Sequence, residues 1–201
     1  MSHSLRYFLL VSIPAVFGLS ALAKPMLSIF TTEDFLSGWL VIPIIALSGL
    51  LAGVVQIFIN TLFIVKKTKA QTYINLAGAV SNTLINLFLI PSVGIVGAAL
   101  STLFAYFLMA ALCMHMSLKY FKHDFYYLNI AKSILSSMTM YFFISRIDIT
   151  SIRGLFQAAG IGMFIYLLAM FLLGGFNNQE LSLIKKYLFG VKNSLGKIIG
   201  I

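Results

Sequence analysis

Long apolar segments separated by short polar ones run along almost the whole chain. Asp, Glu, Lys and Arg are all missing between Ala70 and Leu118, and one helix over that stretch would be more than twice as long as the roughly 30 Å hydrocarbon core of a bilayer. The stretch must therefore fold back on itself. Pro91 lacks a backbone N–H and disfavours helix at the residue before it, and Ser92 can cap a following helix. The pattern predicts a transmembrane hairpin whose first helix is broken at Pro91.

The other apolar segments extend this prediction to six transmembrane helices in one domain. Their approximate limits are 6–29, 38–65, 71–90, 93–118, 130–147 and 153–173. The fifth is the weakest, because the uncharged stretch between Lys132 and Arg146 is short for a membrane span, so its ends must snorkel or its helix is only partly embedded. Residues 1–178 are predicted to form a six-helix lobe. Residues 179–201 are predicted to form a basic amphipathic tail, with 179–189 lying on the membrane surface.

Composition supports a membrane protein built only from helices. Of the 201 residues, 60% are apolar and 9% are charged, far from the quarter that is charged in a typical soluble domain. Backbone polar groups must be satisfied inside lipid, so a span is a helix or a closed barrel, and long apolar runs without alternation favour the helix. The fold class is therefore predicted to be all-α, a polytopic membrane helix bundle.

The basic residues predict an orientation. The net charge is +9, but the Lys and Arg residues lie between apolar runs, as the membrane topology rule requires, so we expect no nucleic-acid partner. Of the 14 Lys and Arg residues, eleven fall on one side of the predicted bundle. The three on the other side are Lys24, Arg146 and Arg153. We therefore expect both termini in the cytoplasm, with the Pro91 tip outside the plasma membrane.

The first residues allow a second interpretation. The stretch MSHSLR, an apolar core and the residues Ser20 to Ala23 before Lys24 have the layout of a cleavable signal peptide. Apolar character resumes at Met26, however, and cleavage would leave an odd number of spans. We therefore expect the segment to remain as the first transmembrane helix.

Few groups in the chain are suited to catalysis. It has no nucleotide-binding P-loop, no H-E-x-x-H metal pair and no G-x-S-x-G nucleophile turn. Its 5 carboxylates lie in predicted loops or near a membrane surface. His115 and His123 have no ligand partners at metal spacing, and Cys113 is the only cysteine. We therefore expect no enzymatic activity, no cofactor and no metal site.

Uncharged polar residues and glycines recur on one face of two predicted spans. The positions are Gly49, Gly53, Gln56 and Asn60 in the second span and Gln71, Asn75, Asn82 and Asn86 in the third. The glycine pair favours close helix packing. For the carboxamides two explanations stay open: they hydrogen-bond between packed helices, or they line a water-filled cavity for a polar solute. The candidate cavity residues are Gln56, Asn60, Asn75, Asn82 and Asn86.

No cation lies in the middle of a predicted span. An anionic solute would therefore find its countercharge at the ends of the helices or outside this chain. The candidate boundary cations in this chain are Arg6, Lys24, Arg146 and Arg153.

The hairpin also carries a family resemblance. Residues 89–99 read LIPSVGIVGAA, which resembles the IP-x-x-G-I-x-G-A-A hairpin of polysaccharide flippases. These exporters of O-antigen and other lipid-linked oligosaccharides share a fold with multidrug and toxin extrusion transporters. The Ile13-Pro14 pair in the opening span and the Lys66-Lys67-Thr68-Lys69 loop occur in the order of that family's second half. The resemblance covers roughly residues 5–175.

The resemblance implies one MATE-like lobe of a two-lobed flippase that moves a lipid-linked oligosaccharide or polysaccharide repeat unit. The partners implied are the lipid-linked glycan, membrane lipids, and a second lobe from a missing N-terminal part, a partner chain or a second copy. Two alternatives remain: a lobe of a cation-coupled multidrug efflux transporter, or a non-transporting membrane component of a glycan assembly complex. A membrane-embedded glycosyltransferase is disfavoured because the chain has no acidic cluster.

Overall fold

The computed structural model describes residues 2–120 and 127–175, and in these ranges the chain is almost entirely helical. The elements are α1 (Ser2–Phe30), a 3₁₀-helix (Glu33–Leu40), α2 (Val41–Ile64), α3 (Thr68–Val93), α4 (Ile95–Leu118), α5 (Tyr127–Ile144) and α6 (Ile152–Leu172). The prediction of an all-α polytopic bundle is confirmed. The tail predicted at 179–201 and His123 lie outside the described residues.

Five helical segments are long and apolar enough to cross a membrane. They are α1, the 3₁₀-helix continued by α2, α3, α4 and α6. Helix α5, predicted to be the weakest span, is not one of them. It carries Ser133, Ser136 and Ser137, all fully buried, and it packs between α1 and α6. Its polar side chains therefore face protein, where they find partners, and the helix needs less apolar character of its own.

The hairpin of α3 and α4 is confirmed, but its predicted break at Pro91 is wrong. Helix α3 continues through Pro91 to Val93, and the chain reverses at Gly94, whose φ of 62° and ψ of −138° suit glycine alone. The Ser92 hydroxyl does not cap α4; its Oγ lies 3.1 Å from the carbonyl oxygens of both Phe88 and Leu89. Proline thus stands in the last turn of α3, and the carbonyls of Phe88, Leu89 and Ile90 around it accept from the Ser92 hydroxyl and the Gly94 N–H.

Two apolar clusters hold the bundle, and α1 contributes to both. The first contains Leu5, Val55, Phe58, Ile59, Leu62, Ala70, Ile74 and Cys113. The second contains Leu22, Met140, Ile144, Ile149, Leu155, Ala158 and Tyr166. Leu5, near the start of α1, thus joins the cluster that holds α2, α3 and α4, whereas Leu22, in its second half, joins the cluster of α5 and α6.

Outside these clusters, large apolar side chains face outward along the helices. Phe88 is 77% exposed and Phe156 is 76% exposed. If these side chains faced water, their burial in the protein would be favoured by about 25 cal/mol per Å². Their position on the surface therefore indicates contact with lipid.

Glycines set the close contacts of the hairpin and of α1 with α2. A Cβ at Gly97 would overlap the Leu89 carbonyl of α3, and a Cβ at Gly53 would overlap the Phe8 ring of α1. A Cβ at Gly49 would meet nothing. The predicted close approach therefore holds at Gly53 and is wrong at Gly49.

Candidate functional site

A chain of hydrogen bonds joins α3 to α4 through two of the predicted carboxamides. Asn86 Nδ2 donates to Asn82 Oδ1 at 2.8 Å, and Asn82 Nδ2 donates to the Thr102 hydroxyl at 3.3 Å. The Ser101 hydroxyl donates to Asn86 Oδ1 at 2.5 Å. Asn82 and Asn86 lie four residues apart, one helical turn, which is why the two amides can bond to each other. The carboxamides therefore hold α3 and α4 of the hairpin together through hydrogen bonds.

Each amide keeps capacity for a further ligand. A carboxamide offers two N–H donors and two acceptor lone pairs, and the bonds described for Asn82 and Asn86 use one donor and one acceptor of each. Packing and solute binding are therefore compatible at this site, as long as a path to the amides is open.

Such a path exists beside Asn82. A cleft of about 400 Å³ lies between α3 and α4, near the middle of both helices. Its polar wall consists of Asn75, Asn82, Thr83, Thr102 and Tyr106. Asn75 is exposed, whereas Asn82 and Thr102 are half-buried. We call this space the hairpin cleft.

The floor of the hairpin cleft is set by a glycine. Gly78 is buried, and the space that its side chain would take is filled by Met109 of α4. Because α3 and α4 approach closely at Gly78, the polar side chains around this glycine line a single recess. Thr102 and Tyr106 were not among the predicted residues; their one-turn spacing beside Ser101 on α4 was the signal available in the sequence.

The other two carboxamides form a separate pair on α2. Gln56 Nε2 donates to Asn60 Oδ1 at 3.2 Å, and both side chains are exposed. Neither belongs to the lining of the hairpin cleft. The structure therefore brings Asn75 and Asn82 together in one recess, places Asn86 behind it in the seam, and leaves the α2 pair apart on another helix.

Arg6 is buried, whereas a cation that binds a ligand at the membrane boundary would be exposed. It is 5% exposed, and Nη2 donates to the Gly175 carbonyl at 3.4 Å. With the Asn129 carboxamide oriented so that its oxygen faces the guanidinium, that oxygen lies 2.9 Å from Nη2 and 3.1 Å from Nε. Arg6 thus ties the start of α1 to the start of α5 and to the chain after α6.

The remaining boundary cations are exposed and lie at the opposite end of the bundle. The Lys24 ammonium lies 4.4 Å from the centre of the Trp39 ring, a cation–π contact. The Arg146 guanidinium lies 4.7 Å from the centre of the Phe142 ring. Arg153 is exposed in the first turn of α6.

The described residues contain no group of three or more His, Cys, Asp or Glu side chains that could hold a metal ion. The polar chemistry of the hairpin cleft is therefore that of amides and hydroxyls, which bind through hydrogen bonds.

Comparison with known proteins gives matches over most of the chain. Residues 1–171 match the family model described as lipid II flippase MurJ. The chain is 28% identical over 197 residues to the uncharacterized membrane protein MJ1068 of Methanocaldococcus jannaschii, a match that covers 96% of the chain and 37% of the relative. It is 26% identical over 170 residues to the probable low-salt glycan biosynthesis flippase Agl15 of Haloferax volcanii, covering 83% of the chain and 36% of the relative.

These coverages mean that the chain spans little more than a third of the length of the curated relatives that it matches. No solved structure matches the chain significantly.

Proposed function

The chain belongs to the MurJ lipid II flippase family, and from that membership we propose that it forms one helical lobe of a membrane flippase for a lipid-linked glycan. It is a multi-pass membrane protein with five segments able to span the bilayer. The cargo is an oligosaccharide or polysaccharide repeat unit attached to a lipid. The chain acts as part of a transporter and catalyses no reaction.

The observation that carries this proposal is the hairpin cleft. Amide and hydroxyl groups line a recess at the middle of two helices whose other faces are apolar. Each unsatisfied polar group costs several kcal/mol in hydrocarbon, so a sugar needs such groups at mid-membrane depth in order to cross. Amides and hydroxyls both donate and accept, as sugar hydroxyls do.

A second lobe completes the path. The hairpin cleft is open on one side, and a polar headgroup bound there would still face lipid unless another helical body covered it. Two lobes that enclose the cleft and open alternately to each side would shield the headgroup while its lipid tail stays in the bilayer. We propose that this second lobe comes from a longer chain, a partner protein or a second copy of this chain.

Substitution of the carboxamides separates transport from packing. Asn75→Leu and Asn82→Leu remove polar groups from the hairpin cleft, and we expect each to lower the initial rate of flipping by about tenfold, the equivalent of one lost hydrogen bond at about 1.4 kcal/mol. The assay is translocation of a fluorescent lipid-linked oligosaccharide by the complete transporter in proteoliposomes. Gln157→Leu is the matched control, because Gln157 is an exposed carboxamide on α6.

Asn75 gives the sharper test, since it is exposed and its loss leaves the bonded chain of Asn82 and Asn86 intact. A stable Asn75→Leu protein that flips at a reduced rate supports the proposal. Normal flipping by Asn75→Leu and Asn82→Leu overturns it. The polar stripe would then be a packing seam, as expected of a non-transporting component of a glycan assembly complex.

We also propose that both termini lie in the cytoplasm of a prokaryotic cell and that Lys24 faces the outside. The support is the distribution of basic residues, which places the Lys66–Lys69 loop and Lys24 at opposite ends of the bundle. In a Cys113→Ser background, a membrane-impermeant maleimide added to intact cells is expected to label Lys24→Cys and not Lys67→Cys. Labelling of Lys67→Cys alone would reverse the orientation.

A further inference from the structure

A second polar cleft lies at the end of the bundle that carries Lys24. It measures about 700 Å³, and its walls come from the last turns of α1, the 3₁₀-helix, the end of α5 and the connection between α5 and α6. We call it the end cleft. It shares no lining residue with the hairpin cleft, so it is a separate space that the carboxamide stripe does not explain.

The end cleft offers hydrogen-bonding groups of every type. Lys24 supplies an ammonium donor, Asp148 supplies carboxylate acceptors, and Ser37 and Tyr141 supply hydroxyls that do both. All four side chains are exposed. Opposite charges in the same cleft leave it close to neutral, which favours an uncharged ligand that is rich in donors and acceptors.

Helix α1 adds acceptors to the same wall. The hydroxyls of Ser20 and Ser28 donate to carbonyls of their own helix, at 2.6 Å to Val16 and 2.9 Å to Pro25, so their oxygen lone pairs are still available. Pro25 has no N–H for the carbonyl of Ala21, four residues earlier, and both residues line the cleft. The wall is thus more polar than the apolar sequence of α1 alone indicates.

Two aromatic rings, those of Trp39 and Tyr141, form part of the wall of the end cleft. Trp39 lies beneath the Lys24 ammonium, and Tyr141 is held edge-on by Phe17, with ring centres 6.4 Å apart and an interplanar angle of 77°. Aromatic faces pack against the C–H face of a sugar ring, while the groups around them bond to its hydroxyls. A volume of about 700 Å³ falls within the roughly 300–1,000 Å³ of small-ligand pockets.

We propose that the end cleft binds the saccharide part of the translocated glycan at one end of its path. This inference rests on the proposed function for the identity of the ligand, but the site itself is argued from its own residues. A phosphate group fits less well, because the Asp148 carboxylate would repel it and the opposite charges of Lys24 and Asp148 leave the cleft close to neutral. The end cleft thus favours the sugar over phosphate, and the phosphates of the lipid carrier bind to groups outside it.

The chain carries a natural reporter for the test. Trp39 is its one tryptophan, so fluorescence of the purified 201-residue protein in detergent, excited where tryptophan absorbs and tyrosine does not, reports on the end cleft. The probes are a soluble N-acetylglucosamine disaccharide, inorganic phosphate, and the same disaccharide linked through diphosphate to a short isoprenyl chain. We expect saturable changes in emission with both saccharide probes and none with inorganic phosphate.

Variants assign the binding to the cleft. Lys24→Gln and Asp148→Asn are each expected to weaken disaccharide binding by about tenfold, the factor for loss of one hydrogen bond to a charged group. Lys69→Gln is the matched control, because Lys69 is an exposed lysine at the other end of the bundle. Ser37→Ala provides a third variant that leaves the Lys24 contact with Trp39 in place, and far-ultraviolet circular dichroism checks that each variant keeps its helices.

The outcomes separate the inference from the proposed function. No saccharide-dependent emission change in the wild-type protein, a response to phosphate alone, or equal binding by Lys24→Gln, Asp148→Asn and wild type would each overturn the saccharide site. Tighter binding of the isoprenyl-linked probe than of the free disaccharide identifies the lipid-linked glycan as the source, and equal binding identifies a free saccharide. Saccharide binding without flipping in the proteoliposome assay leaves the site standing while the flippase proposal fails.

Discussion

Tyr166 holds the middle of α1 to α5 and α6, and its role depends on a proline in another helix. Its hydroxyl lies 2.8 Å from the Leu10 carbonyl and 3.1 Å from the Ser133 hydroxyl. In an unbroken α1, the Leu10 carbonyl would accept from the N–H of residue 14, but Pro14 has none. Tyr166 therefore replaces, from α6, the donor that the proline removed.

Removal of this hydroxyl should cost more than an average hydrogen bond in a membrane protein. Side-chain hydrogen bonds in such bundles average about 0.6 kcal/mol and reach about 1.7 kcal/mol, whereas a buried group left without a partner costs about 1–3 kcal/mol. We expect Tyr166→Phe to lower the free energy of unfolding by about 2 kcal/mol, since it breaks the bond to Ser133 and orphans the Leu10 carbonyl.

A double-mutant cycle isolates the contribution of the proline. In Pro14→Ala, residue 14 regains an N–H that can serve the Leu10 carbonyl, so Tyr166→Phe should then cost only about 0.6 kcal/mol. The assay is unfolding of the purified protein in mixed detergent micelles, followed by circular dichroism. Tyr73→Phe is the control, because Tyr73 is 71% exposed. Equal costs of Tyr166→Phe in both backgrounds would refute the reasoning.

The same unfolding assay tests the hairpin. Gly94→Ala should destabilise the protein by about 1–3 kcal/mol, because residues other than glycine rarely adopt its backbone conformation. Pro91→Ala should leave stability equal or higher. A larger loss of stability in Pro91→Ala than in Gly94→Ala would instead support the turn predicted at Pro91. Gly97→Ala should cost about 1–3 kcal/mol because the new methyl group overlaps the Leu89 carbonyl. Gly160→Ala, where the space is open, should stabilise by about 0.5–1 kcal/mol, and equal effects at the two glycines would contradict the packing described for the hairpin.

Five of the six predicted spans coincide with helical segments long and apolar enough to cross a membrane, because the prediction depends on one strong physical requirement. A segment that crosses hydrocarbon must be long, apolar and hydrogen-bonded within itself, and all three properties are visible in the residues between charged loops. The apparent weakness of the fifth span was visible for the same reason, because Lys132 shortens its uncharged stretch. What compensates for it, the burial of three serines against α1 and α6, is a property of the packed bundle.

The position of the turn between α3 and α4 was less predictable. Proline and glycine stand three residues apart in that stretch, and each is able to end a helix. The conformation chosen depends on donors for the last carbonyls of α3, which Ser92 and the Gly94 N–H provide. The sequence pattern favoured a break at Pro91, whereas the chain reverses at Gly94, the residue that can adopt the positive φ of the turn.

The carboxamides show where sequence periodicity stops being informative. Spacing placed Asn75, Asn82 and Asn86 on one face of α3, but it could not say whether that face meets another helix or an open space. The structure gives both: Asn86 bonds to Ser101 in the seam, while Asn75 and Asn82 line the hairpin cleft. Their part in transport stays a prediction.

The sequence by itself determined the class of the protein, five of its membrane-spanning segments and the hairpin, because these follow from the length and polarity that a bilayer imposes on each segment separately. Only the tertiary structure decided which polar groups meet. Arg6 reaches Gly175, Tyr166 reaches Leu10 and Lys24 meets Trp39, and the first two of these pairs are far apart in the chain. Such contacts depend on how the helices pack side by side, which the period of a single helix does not contain.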